Sequence, residues 1–179
     1  MIKEAVRVAL NEQINAEFYS AYLYLSMCSY FKRINLEGFA TWMEVQTMEE
    51  MMHGMKIFNF MSERGEQVKL KPIEGPPTSW ESPLAVFEEA YAHEVKVTGL
   101  IYSLVDLAAE YKDHATANFL QWFISEQVEE ETSTDAIVQK LKLVGSDGGG
   151  LFLVDQELGR RVFTPPPGTT IISGAGTAA

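Results

Sequence analysis

The tetrapeptide Glu50-Met-Met-His53 sets a carboxylate and an imidazole one helical turn apart on a single face, a spacing that suits a metal ion. Alone it is weak evidence, because four-residue patterns arise by chance in many helices. Three other segments of helical periodicity also carry acid on an otherwise apolar stripe: Glu17, Glu94, and the pair Glu126 and Glu130. The last of these stripes runs Phe119, Phe123, Glu126, Glu130, Ser133 and Ile137, in steps of four and three. Burying an unpaired carboxylate in such a seam costs on the order of several kcal/mol. Either the stripes face water, the common fate of a Glu-rich run, or cations hold the acids. Each acid lies near the middle of its helix, and aligned helices of similar length bring their midpoints into one layer. Four solvated charges have no reason to obey both rules, so the pattern favours a buried polar site.

Glu17, Glu50, Glu94 and Glu130 supply four negative charges, enough to balance two divalent ions. Without ions they would repel one another and take up protons. Mostly oxygen ligands with one His suit iron or manganese better than copper, and the lack of a Cys ligand disfavours structural zinc. A ligand set this small leaves positions open for water or oxygen. Two readings of Tyr24 stand: a hydrogen-bond donor or electron source beside the acids, and an ordinary buried tyrosine. Glu49, Glu126 and Glu129 read either as an adjacent cation site or as a solvated face. Gln127 is placed to act as a weak ligand or hydrogen-bond donor. Trp122 reads as packing, His93 and His114 lie off the seams and read as surface residues, and the methionines read as core filler.

The elements that must position these groups are long helices. The first spans about 3–32 with the seam Leu10, Ile14, Glu17, Ala21, Tyr24, Cys28 and Phe31. Its second half is apolar nearly all round, which points to contacts beyond its own bundle. The second spans about 36–64, with Asn35 read as its N-cap, Gly65 as its C-cap, and the seam Phe39, Met43, Gln46, Glu50, His53, Ile57 and Phe60. Pro72, Gly75, Pro76 and Pro77 forbid regular helix over 65–82. A connection of that length crosses a bundle end to end, so the second and third helices are expected to run parallel. The third helix, about 83–110, opens on Ser82 as N-cap and Pro83, with the seam Phe87, Ala90, Glu94, Val97, Ile101, Leu104 and Ala108. A tight link at Lys112 and Asp113 leads to the fourth helix, which reaches about Leu143. The glycine-rich run 145–150 breaks the chain before a short fifth helix over about 151–159. The expected fold is all-α: a four-helix bundle with a long crossover and a short C-terminal helix, over residues 1–160, followed by a mobile Pro/Gly-rich tail over 161–179.

Composition narrows the function. At 179 residues the chain fits one domain with or without a tail, and 46% apolar against 22% charged residues is ordinary for a folded protein. A net charge of −11 makes nucleic acid a poor partner and suits the attraction of cations. The single cysteine, Cys28, rules out a disulfide framework, fits a reducing cytoplasm, and excludes a rubredoxin-like or zinc-ribbon appendage. The N-terminus lacks a signal-peptide layout, and the longest uncharged apolar stretch, 18–31, is too short and too rich in Ser and Tyr to span a bilayer.

In combination, Asn11-Glu-Gln-Ile-Asn-Ala-Glu17, Glu49-Glu-Met-Met-His53, His93-Glu94, the run from Asn118 to Glu130, and the run from Gly150 to Leu158 resemble the non-haem ferritins of bacteria and archaea. The resemblance covers roughly residues 3–160. It implies an iron-storage ferroxidase with a dinuclear iron centre. Glu17 and His53 would hold the first iron, Glu50 would bridge, Glu94 with Glu130 would hold the second, and Gln127 would lie beside it. Glu49, Glu126 and Glu129, with Glu130, match a third iron site. The fourth helix reads Glu126-Gln-Val-Glu129 where bacterioferritins and rubrerythrins have a second Glu-x-x-His, which argues for ferritin proper. The implied assembly is a cytoplasmic, hollow cage of two dozen subunits that takes Fe(II) and O2 or peroxide as substrates, with no nucleic acid or membrane partner. The alternatives are a diiron peroxidase or oxidase that stores nothing, and a passive metal-binding or structural helical assembly.

Overall fold

Among the described residues, 2–165 of the computed structural model, regular structure is helical throughout. The elements are α1 (Glu4–Arg33), α2 (Glu37–Glu63), α3 (Pro83–Glu110), α4 (His114–Val144) and α5 (Gly148–Leu158). The part of the expected tail from residue 166 onward lies outside the described residues. No described helix is long and apolar enough to cross a membrane.

Helix ends follow local backbone chemistry. α1, α2 and α3 each close on a left-handed residue: Asn35 (φ 60), Gly65 (φ 76) and Lys112 (φ 54). The amide after each bonds back to the helix, as Leu36 N–H does to Phe31 O at 3.1 Å and Glu66 N–H to Met61 O at 3.0 Å. Asn35 therefore ends α1 and does not cap α2, a correction of the expected role. Asn is one of the few side-chain-bearing residues that tolerate the left-handed region, and that preference prevails here over its capping preference. Ser82 caps α3 as expected, its Oγ accepting from Ala85 N–H at 3.1 Å. The glycine run does not delay α5 to residue 151 either. Asp147 accepts from Gly149 and Gly150 N–H, so the helix begins at Gly148.

The crossover rides along α1 from its start to near its end. Glu66 accepts from Ile2 N–H at 3.0 Å, Asn11 from Lys69 N–H at 2.7 Å, and Ser26 donates to Pro77 O at 2.5 Å. The chain thus returns to the end where α2 began, and α3 runs parallel to α2.

Two apolar clusters fill the bundle. One gathers Met27, Phe31, Phe39, Met43, Phe87, Ala90, Ile137 and Leu141. The other gathers Leu10, Ile14, Ile57, Val97, Ile101, Leu120 and Phe123. On every long helix the seam passes from one cluster to the other through a buried polar stretch holding Glu17, Glu50, His53, Glu94 or Glu130. Full burial of each large apolar side chain stabilises by about 1.5–3 kcal/mol, so the flanking clusters offset the unfavourable polar layer between them.

Candidate metal centre

The seams of α1 and α3 are buried at every expected position, and that of α2 at every position but Phe60. The α4 stripe is correct at every second position only. Phe123, Glu130 and Ile137 are buried, but their partners in the seam are Leu120, Gln127 and Thr134. Phe119, Glu126 and Ser133 sit at its edge, half-buried. Apolar Phe119 drew the expected stripe one residue sideways. Its ring is instead spent on a stack with Phe60, centroids 3.9 Å apart.

Glu17, Glu50 and His53 converge: each offers a ligand atom, and these atoms lie within 4.8 Å of one another, all buried. Glu17 Oε2, Glu50 Oε1 and both ring nitrogens of His53 have no hydrogen-bond partner among the described residues. His53 Nδ1 stands 3.7 Å from Glu50 Oε2, too far for a hydrogen bond. Orphaned buried polar atoms are rare, and one from each of these three side chains meets the others at a point that could hold a cation. The His53 ring is held edge-on by Trp122 (5.3 Å) and Phe123 (5.9 Å). Trp122 thus packs as expected.

Glu94 and Glu130 are equally buried but already engaged. The Tyr24 hydroxyl and Gln127 Nε2 (3.2 Å) donate to Glu94, and Gln46 Nε2 donates to Glu130 Oε2 at 2.5 Å. Gln13 Nε2 donates to Glu17 Oε1 at 2.9 Å. These amides supply hydrogen bonds without cancelling charge, which leaves the carboxylates able to answer a metal.

Burial governs the protonation states. It pushes the Glu17 carboxyl up to about 7, against the bond from Gln13. Burial first, then repulsion from Glu94 and the other acids, drives Glu50 and Glu130 well above the usual carboxylate range. Glu94 is raised by burial although Tyr24 and Gln127 oppose it. His53 goes the other way, down to about 4, because burial disfavours its cation. The ring is therefore neutral at pH 7, as a ligand must be.

Glu49 and Glu126 lie half-buried beside this layer, and Glu129 is exposed. Glu49 is raised to about 6, by burial and then by Glu129 and Glu126, with Arg161 opposing. His114 is exposed, as expected, whereas His93 is half-buried. Its ring tucks against Tyr19 and Tyr24, and Nε2 lies 2.7 Å from Ser20 Oγ. A residue one step off the seam can still turn its side chain back over the neighbouring helix.

Three contributors carried no site role in the sequence reading. In the sequence Gln46 reads only as a seam residue, and Gln13 precedes Glu17 by one helical turn, which is the available signal. Arg161 fell in the expected tail, yet its guanidinium donates to Gln46 Oε1 at 2.5 Å and Glu49 Oε2 at 2.6 Å. Nothing in its surrounding sequence marks it.

Fold and site together define a class: a four-helix carboxylate bundle built around a buried Glu/His cluster that could hold a metal ion. The ferritin-like domain model matches residues 8–144. A bacterial non-heme ferritin of Bacteroides fragilis is 46% identical over 161 residues, 90% of this chain and 100% of that protein. One from Staphylococcus aureus is 36% identical over 163 residues, covering 91% and 98%. A form of Archaeoglobus fulgidus ferritin engineered to be closed superposes with a TM-score of 0.90 at 58% identity, over 92% of this chain and 100% of that one. The open-pore ferritin of the same archaeon gives 0.90 at 57%, over 90% and 100%. The chain belongs to the ferritin family.

Proposed function

We propose that Glu17, Glu50, His53, Glu94 and Glu130 form the dinuclear centre at which this iron-storage ferritin acts as a ferroxidase. The observation that carries the assignment is the set of four partnerless buried atoms on Glu17, Glu50 and His53. Glu17 and His53 take the first iron, Glu50 lies between the two, and Glu94 with Glu130 takes the second. Gln127 steadies Glu94, and Tyr24 donates to it. Four carboxylates balance two Fe(II) ions once their protons leave, so filling the centre releases protons. Each iron then gives one electron, and the pair, with two protons, reduces O2 to hydrogen peroxide or hydrogen peroxide to water. The two added positive charges draw further protons from bound water, and hydroxo or oxo bridges form. This upsets the charge balance and favours release of Fe(III) past the outer acids Glu49, Glu126 and Glu129 to a stored mineral.

Self-association into a cage, 24 subunits in this reading, is supported by the apolar surface the single chain leaves open. Phe18, Tyr22, Leu25, Met51 and Ile73 line a groove of about 380 Å³, and Phe152 and Leu153 on α5 are exposed. The lone Cys28 fits a reducing cytoplasmic setting.

The test is aerobic addition of a few Fe(II) per chain to the metal-free protein, followed by rapid-mixing absorbance and sizing. Ferric absorbance that grows faster than in buffer and elutes with a large soluble particle is the expected result. Oxidation at the buffer rate would refute the assigned centre.

A further inference from the structure

The Arg161 side chain sits where a metal ion would be useful. Its guanidinium lies over the Trp42 ring at 4.5 Å, a cation–π contact that holds the group beside α2. From there one nitrogen donates to Glu49 Oε2 at 2.6 Å, and the two side chains are only 24% and 22% exposed. The other nitrogen donates to Gln46 Oε1 at 2.5 Å. Gln46 is wholly buried, and its amide has two unlike ends. With the carbonyl spent on Arg161, the NH2 faces Glu130 and donates to Oε2 at 2.5 Å. Turned the other way, the amide would set its carbonyl oxygen against a carboxylate.

We propose that Arg161 is the built-in counter-cation of the outer acid Glu49, and that a divalent ion binding this acid competes with the guanidinium and displaces it. The inference rests on the assignment of the dinuclear centre above, because the outer acid matters only beside it. Displacement has a consequence one bond further in. When Arg161 leaves, Gln46 loses the contact that orients it, and the hydrogen bond on Glu130 loosens with it. Arrival of an ion at the outer acid is thereby coupled to the freedom of Glu130 to rearrange. Arg161 touches no reacting atom in this scheme. It is a positioning residue, supplied by the segment just beyond α5.

The test uses Zn(II), a redox-silent probe, added to the metal-free full-length assembly in competition with a chromophoric chelator at pH 7. The parent is expected to bind two ions tightly and a third weakly. Arg161→Gln should bind the third on the order of tenfold more tightly, the effect of losing one charged hydrogen-bonded partner. Arg161→Lys, which keeps the charge, should return the third step to near the parent value. Glu49→Gln should remove that step in every background. If Arg161→Gln does not assemble, Arg161→Met keeps an unbranched stem against Trp42 and gives the same reading. Two tight ions with a third step indifferent to residue 161 would overturn the inference alone. Two ions whose tight binding survives Glu50→Ala and His53→Ala would overturn the centre itself.

Discussion

The Asp155 carboxylate on α5 accepts the backbone N–H of Gly38 at 2.8 Å, and so caps a helix 117 residues earlier in the chain. The same oxygen takes Phe39 N–H at 3.1 Å. Leu36, at the N-cap of α2, offers no side-chain acceptor, so the cap arrives from another helix. Gly38 is required by this approach, because a Cβ there would lie 1.7 Å from Asp155 O.

Asp155→Ala should therefore cost about 1–2 kcal/mol, the usual value of a lost cap, and lower the melting temperature by a few degrees. Gly38→Ala should cost more, since backbone must shift and α5 loses its seat. Urea titration of each variant checks both values, and sizing shows whether α5 still supports assembly. A Gly38→Ala protein as stable as the parent would contradict the close contact.

Much of this was legible in the sequence. Glu17, Glu50, His53 and Glu94 stood out because an ionisable residue on an apolar seam is conspicuous, and the crossover because prolines leave no other reading. Glu126 was drawn into the α4 seam in place of Gln127 because adjacent positions differ by only one step of helical phase and Phe119 looked like core. The tie between Asp155 and Gly38, and that between Arg161 and Glu49, were invisible for another reason. Contacts across more than a hundred residues leave no local pattern. Only packing of α5 against α2 creates them.

Removing a ligand separates chemistry from folding. Glu50→Ala and His53→Ala should bring Fe(II) oxidation to the rate in buffer while leaving the helical circular dichroism intact. Glu50→Gln makes a sharper case. It keeps the volume but removes a charge that burial and Glu94 disfavour, so the metal-free variant should melt higher than the parent at pH 8. It should also gain less from added Zn(II), since fewer ligands bind the native state. A lower metal-free melting temperature would argue against a strained acid at position 50.

The pH dependence of the metal-free protein follows from the same groups. Glu17 rises from 4.5 to about 7, so its stability contribution is full below pH 4.5 and is lost as pH rises through 7. That loss is on the order of 3 kcal/mol, and Glu50 and Glu130 extend it to higher pH. His53 and His93, each lowered from 6.5 to about 4, have the opposite sign: their contribution is present above 6.5 and lost as pH falls through 4. Between pH 4.5 and 6.5 the two histidines offset only part of the loss from the acids. Above 6.5 only the acids act, so the melting temperature should fall from pH 6.5 to 8. Saturating Zn(II) should reverse that slope, because ions replace protons on the carboxylates. Calorimetric scans at the two pH values, with and without zinc, read this directly.

The hydroxyl of Tyr24 donates to Glu94 from a fully buried ring whose own ionisation is pushed well above 10, by burial first and then by Glu94, Glu50 and Glu130. It therefore remains a proton donor at neutral pH, and it steadies one oxygen of the carboxylate assigned to the second iron. Tyr24→Phe keeps the ring against Trp42 and removes only this bond. The lost bond to an ionised partner should weaken the second Zn(II) on the order of tenfold, leaving the first, on Glu17 and His53, near its parent affinity. Iron oxidation should slow with it, since both ions are needed to deliver electrons together. If the Phe variant bound both ions as the parent does yet oxidised iron more slowly, the hydroxyl would be acting on electron or proton transfer, and the positioning role assigned to Tyr24 would be wrong.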